Sequence, residues 1–257
     1  MNCEWRSYVV NYLLIKCCEI DSTFAHQLFD NNVDVFKSVF TSSKTDPVQN
    51  YEYLELIGDG VIGMGLPLYF MERFPILKQH GNDVRVGIIS RLKLIYLSGT
   101  RMSAIAEKLG FLKWIKCFNK LKHTSYQEQQ KLMEDCFEAF FGALITTFDD
   151  AKGITCSGQI VCYRFLRSAY NLIPISLDNL VDNKTMLKEI IDTNRAQLQS
   201  FVYTYDKNVM TLSVASGKYV VSDKNTSGVS KKEMEKIVAG QMLSILSKDG
   251  FIHYSEK

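Results

Sequence analysis

The sequence predicts two domains of different class. An all-α domain covers residues 1–172, and a small α+β domain of order α-β-β-β-α covers 183–250, with a linker at 173–182 between them. Three observations carry that reading. Up to Ala169, apolar residues recur at three- and four-residue spacing, as in Leu54, Ile57 and Val61 or in Met133, Phe137, Phe140, Phe141 and Leu144. No alternating strand pattern interrupts them. Past Asn171-Leu172-Ile173-Pro174 the character changes to three β-prone runs, 199–205, 209–214 and 218–222, with a helical pattern on either side.

Turn signals separate the helices of the first domain: Asp46-Pro47, Phe74-Pro75, His80-Gly81-Asn82-Asp83, Leu109-Gly110 and Asp149-Asp150. The first helical stretch, 5–20, is flanked or interrupted by Glu4, Arg6, Lys16 and Glu19, so it lacks the clean apolar run of a signal peptide. In the second domain a helix begins near Lys184. Asp206-Lys207-Asn208 and Ser216-Gly217 supply the hairpin turns. Ser230 followed by Glu233 is a capping box that opens a final helix towards Lys248. Met234, Ile237, Val238, Gln241 and Ile245 are its expected inner stripe.

Composition excludes little: 46% of residues are hydrophobic and 23% charged, as in an ordinary globular protein. A net charge of +2 means that any nucleic-acid-binding surface must come from local clustering. The seven cysteines contain no CxxC pair, which reads as reduced thiols rather than a zinc site or a disulfide framework. No uncharged apolar run reaches membrane-spanning length. The expectation is a soluble intracellular protein with no membrane partner, cytoplasmic before nuclear or organellar.

Two stretches place acids where a helix would not favour them. Glu52, Glu55 and Asp59 are spaced by three and four, so a helix stacks them on one face; Asp135 and Glu138 form a second pair three apart. Like charges at these spacings each cost an isolated helix about 0.2–0.5 kcal/mol. Large apolar neighbours surround both groups: Leu54, Leu56 and Ile57 at the first, Phe137, Phe140 and Phe141 at the second. Acids at helical spacing are usually an ordinary solvated face. Carboxylates gathered in apolar surroundings instead call for a cation, and hard oxygen ligands supplied a few at a time suit Mg²⁺.

The flanking residues decide between those readings. Residues 50–63, Asn-Tyr-Glu-Tyr-Leu-Glu-Leu-Ile-Gly-Asp-Gly-Val-Ile-Gly, resemble the signature helix of the ribonuclease III family, and residues 134–144 resemble its second acidic helix. Ser90-Arg91-Leu92-Lys93 and the 104–110 stretch are similar to its middle helices. The resemblance implies that Glu55, Asp59, Asp135 and Glu138 are metal-binding catalytic carboxylates, with Glu52 as a further acid. Lys131, four residues before Asp135, corresponds to a lysine of Dicer-like members that helps polarise the scissile phosphate. The implied cofactor is Mg²⁺, with Mn²⁺ as a substitute, and the implied substrate is double-stranded RNA or RNA hairpins. Cleavage would leave 5′-phosphate and 3′-hydroxyl ends with short 3′ overhangs. A homodimer is implied as well, with Leu56 at the position where relatives plug a pocket of the partner. Two departures stand out. Val86 occupies a position where bacterial members usually carry glutamate, and Gly60 one where serine or alanine is usual. A non-cleaving relative on the same fold, whether a dsRNA-binding or a ribosomal protein, is the competing reading.

In the second domain, Lys231, Lys232 and Lys236 lie near a helix start, where the dipole is also positive, a combination that suits phosphate. The α-β-β-β-α order and this lysine segment resemble the double-stranded-RNA-binding domain, which implies RNA contacts for those lysines and for Thr185 and Glu189. Such domains read A-form shape rather than sequence. The family's usual loop between its first two strands is replaced by Asp206-Lys207-Asn208.

Overall fold

A computed structural model describes residues 3–119, 125–177, 180, 183–215, 217–226 and 228–251. The chain divides into two compact units, Met1–Gly81 with Ile89–Ile175 and Asn82–Ile88 with Ser176–Lys257. Four residues of the predicted linker, 178, 179, 181 and 182, lie outside the described residues, as does Ser216 of the second predicted turn.

The first unit is helical, as its periodicity demands. Helix α1 (Cys3–Ser7) continues into a π-helical stretch (Tyr8–Cys17). Helix α2 (Ser22–Asn31) is opened by Asp21, whose side chain accepts from the Phe24 amide; α3 (Val33–Ser38) follows. Next come α4 (Glu52–Arg73), a 3₁₀ turn (Pro75–Gln79), α5 (Asn82–Tyr96), whose stretch Asn82–Ile88 is grouped with the second unit, and α6 (Gly99–Leu109), which ends on the left-handed Gly110. Helix α7 (Phe111–Asn119) precedes the long α8 (Tyr126–Lys152), and α9 (Gln159–Tyr170) closes the unit. A full capping box, Ser125 with Glu128, starts α8.

Helix α8 is the axis of this unit, buried from Asp135 to Ile145 without interruption. Its Phe137, Phe140 and Phe141 close on Phe165 of α9 with ring centroids 6.1, 4.7 and 5.0 Å away. Helix α4 lies along α8, and its buried face includes Leu54, Gly58, Ile62, Gly65 and Leu66. By length and composition alone the 22-residue α4 would pass as a membrane span, at a mean hydropathy of 1.3, but it carries Glu52, Glu55 and Asp59 and so is not an uncharged apolar run. Its packing on α8 accounts for part of that apolar character: Leu54, Ile62 and Leu66 are buried, while Leu56, Met64 and Leu68 are exposed.

The second unit builds its core on a three-stranded antiparallel sheet of order β1-β2-β3. The strands are β1 (Phe201–Asp206), β2 (Val209–Val214) and β3 (Tyr219–Lys224), with Phe201 opposite Val214 and Val214 opposite Tyr219. Lys207 and Asn208, both at positive φ (45° and 66°), make a two-residue turn whose twist matches the strands. Met210, Leu212 and Val214 of β2 are buried against helices α10 (Asn183–Thr193) and α12 (Lys231–Lys248); a short α11 (Arg195–Leu198) precedes β1. The predicted inner stripe of α12 is half right. Met234 and Val238 are buried, but the stripe continues through Ala239, Met242 and Leu246, leaving Ile237 and Ile245 exposed. The three-and-four spacing admitted both choices, and the sheet selects the one that reaches Met210 and Leu212. Ser230 accepts from the Glu233 amide, yet the Glu233 carboxylate turns to Lys236, so only half of the expected capping box forms.

A candidate metal centre between two helices

The site exists because two helices touch backbone to backbone. A Cβ on Gly58 of α4 would stand 1.8 Å from the carbonyl oxygen of Glu138, and a Cβ on Gly142 of α8 would stand 2.0 Å from that of Leu54. The relationship is reciprocal: each helix offers a glycine to a carbonyl of the other. No side chain larger than hydrogen fits at either position. Acids on the two facing surfaces are thereby brought together.

Glu55 from α4 and Asp135 and Glu138 from α8 each place a carboxylate oxygen within 4.8 Å of the others. Asp135 is only 5% exposed and Glu138 only 7%. Tyr51, itself buried, donates its hydroxyl to Asp135 Oδ2 at 3.0 Å. Lys131 Nζ stands 2.7 Å from Asp135 Oδ1 and 3.6 Å from Glu134 Oε2. Asp135 is thus engaged at both oxygens, by the Tyr51 hydroxyl at Oδ2 and by the Lys131 ammonium at Oδ1. Three carboxylates gathered within 4.8 Å, two of them buried and with a single cation beside them, are a set of hard oxygen ligands that fits a divalent cation such as Mg²⁺.

The electrostatics of the site agree with its geometry. Burial, then the charges of Asp59, Glu134 and Glu55, push the Glu138 carboxyl up to about 8. Burial and then Asp135 raise Glu55 as well, against the opposing effect of Lys131. Burial acts to lower Lys131, but Asp135, Glu134 and Glu55 outweigh it and hold the ammonium above its ordinary range. Burial followed by the Asp135 charge raises Tyr51, so its phenol stays protonated and can only donate to that carboxylate.

The sequence-derived residues do not all meet. Glu55, Asp135 and Glu138 converge and Lys131 joins them. Asp59, expected as a fourth ligand, is exposed one turn further along α4 and outside the three-acid group, although its charge reaches Glu138. Glu52 is exposed in the first turn of α4. Leu56, 75% exposed, belongs to an exposed apolar row with Tyr53, Met64 and Leu68. Val86 is also exposed. In the second unit Lys231 and Lys232 are exposed at the start of α12, with Lys231 5.9 Å over the Tyr205 ring, while Lys236 pairs with Glu233 at 3.1 Å. Thr185 is exposed and Glu189 half-buried on α10.

Sequence reasoning missed two residues of this site. Tyr51 meets its partner 84 positions away, so nothing local marks it. Glu134, quoted only as part of the motif, packs its carboxylate on Gly99 at the first turn of α6, where a Cβ would come within 2.4 Å of Oε2. The positive end of that helix favours an acid there.

The family model of the ribonuclease III domain matches residues 52–149, a span that contains all three converging acids. This chain carries a ribonuclease III domain. Relatives bearing ribonuclease 3 names agree. One from Frog virus 3 is 37% identical over 228 residues, covering 87% of this chain and 58% of that protein. Another, from Invertebrate iridescent virus 6, is 28% identical over 189 residues, covering 67% and 61%. Ribonuclease 3 of Lactobacillus acidophilus is 29% identical over 172 residues, covering 64% and 68%. The chain thus spans less than two thirds of the length of either viral relative.

Proposed function

We propose that the chain is a divalent-metal-dependent endoribonuclease that cuts double-stranded RNA. The observation that carries this reading is the convergence of Glu55, Asp135 and Glu138 within 4.8 Å, two of them buried, inside a ribonuclease III domain. Glu55, Asp135 and Glu138 would hold Mg²⁺, with Asp59 within electrostatic reach of Glu138 for a second ion. Bound there, such ions supply Lewis-acid stabilisation of the phosphate and lower the pKa of a water that attacks it. Tyr51 holds Asp135 in one orientation by its hydrogen bond to Oδ2. Lys131, 60% exposed at its side chain, can leave Asp135 and present its ammonium to the phosphate. Products with 5′-phosphate and 3′-hydroxyl ends follow from water attacking phosphorus with the 3′-oxygen leaving.

The same reading assigns residues 183–250 to RNA binding, through the lysines at the start of α12 and through Thr185 and Glu189. It makes the working unit a homodimer, since one acidic group cuts one strand and a staggered double cut needs two. Two features support the dimer: the exposed Leu56, and an apolar hollow of about 270 Å³ lined by Val61, Met64, Leu68, Ile160 and Leu166 that can receive such a side chain. Incubating the chain with long double-stranded RNA, with and without Mg²⁺, tests the activity. Wild type should cut only with the metal, and Glu138→Gln should lose cleavage while retaining RNA binding. Cutting by Glu138→Gln at the wild-type rate would overturn the assignment, and binding without cutting by wild type would favour the non-cleaving alternative.

A further inference from the structure

Beside the acidic group, on the side of α8 that faces its own start, lies a hollow of about 390 Å³. Asp135, Lys131 and Tyr51 form the wall it shares with the metal centre, and Ser43 and Lys44 line it from the loop between α3 and α4. That loop is held unusually firmly. Asn119, only 8% exposed, donates both amide protons, to the carbonyls of Phe40 and Ile115, and accepts at Oδ1 from the Ser42 amide and the Thr45 hydroxyl. Because Thr45 spends its single proton on Asn119, the bond between Ser42 and Thr45 hydroxyls must be donated by Ser42. Every polar group that fixes the loop is therefore used internally. What the loop leaves over is different: the amides of Ser43 and Lys44 make no backbone hydrogen bond among the described residues, and Lys44 is exposed at the rim.

The charges lining the hollow separate in the same way. Glu128 is committed to the start of α8, its Oε2 accepting from both the amide and the hydroxyl of Ser125 at 2.9 Å. Asp135 belongs to the metal group. Lys131 is held by Asp135 and Glu134, so Lys44 is the lining cation left for an incoming group, and with the amides of Ser43 and Lys44 it makes a donor set suited to an oxyanion.

We propose that the Ser42–Thr45 loop, through Lys44, forms a subsite for a backbone phosphate of the RNA strand being cut, next to the scissile one that Lys131 faces. Asn119 is the positioning residue, since a fully satisfied buried amide fixes Lys44 without touching RNA. The inference rests on the proposed nuclease reading, and its test is arranged so that the two fail separately. Lys44→Ala alters an exposed side chain and should fold normally. In steady-state cleavage of double-stranded RNA with Mg²⁺, it should raise KM about tenfold with little change in kcat, as loss of a charge-assisted contact made in both ground and transition states does. Lys44→Arg should restore wild-type KM. Binding of the same RNA should be measured across a salt series in a Glu138→Gln background, where turnover is blocked. There Lys44→Ala should reduce the magnitude of the log–log salt slope by about 0.9, one released counterion. An unchanged KM together with an unchanged slope would overturn the subsite. Should wild type fail to cleave at all, the nuclease reading falls, and the salt slope still decides whether Lys44 holds a phosphate.

Discussion

Replacing Gly58 with alanine tests the idea that two backbones in contact set the metal centre. The added methyl would lie 1.8 Å from the Glu138 carbonyl oxygen, so the helices must part by about 1.6 Å to restore ordinary contact. The obstacle is a peptide group inside a helix, which has no rotamer to change, so relief can come only from moving α4 against α8. Overpacking of this kind costs about 1–3 kcal/mol, and a backbone obstacle belongs at the upper end. Alanine returns about 1 kcal/mol of helix propensity, leaving a net loss of about 2 kcal/mol. At about 2–4 °C per kcal/mol for a chain of this size, the melting temperature should fall by roughly 4–8 °C. Gly60→Ala is the matched control: it lies two residues away on the same helix, with nothing within 4 Å of its Cβ position. It should gain about 1 kcal/mol from propensity alone. Thermal melts should be run on both variants with and without Mg²⁺. Gly58→Ala should also show a smaller Mg²⁺-induced shift, because parting the helices draws Glu55 away from Asp135 and Glu138. Equal stability of the two variants, or an undiminished metal shift in Gly58→Ala, would refute the reasoning.

Three further outcomes follow from the same geometry. A carboxyl whose folded pKa is raised stabilises the fold below its ordinary pKa and loses that contribution as pH rises. With Glu138 at about 8, the metal-free protein should therefore weaken between pH 4.5 and 8, while its affinity for Mg²⁺ climbs over the same window with release of a proton. Titration calorimetry in two buffers of different ionisation heat measures that proton, and none released at pH 7 would contradict the assignment. Tyr51→Phe should lower metal affinity about tenfold by freeing the Asp135 carboxylate to rotate, with the circular dichroism spectrum unchanged; an unaltered affinity would mean that Tyr51 only fills space. Leu56→Asp should give a monomer by light scattering that still binds double-stranded RNA, and a wild type that is itself monomeric while making staggered cuts would dispose of the dimer.

The acids were legible because helical spacing is local and their flanks match a family signature: the spacing grouped Glu52, Glu55 and Asp59 on one face and Asp135 with Glu138 on another, and the resemblance marked Glu55, Asp59, Asp135 and Glu138 as ligands. Asp59 shows the limit of that reading. One face of a helix is still several turns long, and only the crossing point with α8 determines which turn meets the partner acids. That crossing is set by Gly58 and Gly142, which look in the sequence like weak points of their helices. Tyr51 and Asn119 were invisible for a related reason, since each acts on residues more than seventy positions away. On α12 the residues Ile237, Gln241 and Ile245 fit the helical period as well as Ala239, Met242 and Leu246 do, and only the sheet breaks the tie.

On the proposed metal-binding reading, the glycine contact between α4 and α8 bears on which ions the acidic group would accept. Carboxylates carried on long flexible supports can open around whatever arrives. Here the supports are two peptide backbones already touching, so only the side chains themselves can adjust to what arrives. Such a restriction favours a small ion with short, strict bonds of about 2.0–2.1 Å over a larger one that prefers 2.3–2.6 Å and more ligands. Selectivity for Mg²⁺ over Ca²⁺ would then be written in residues that carry no charge and touch no metal.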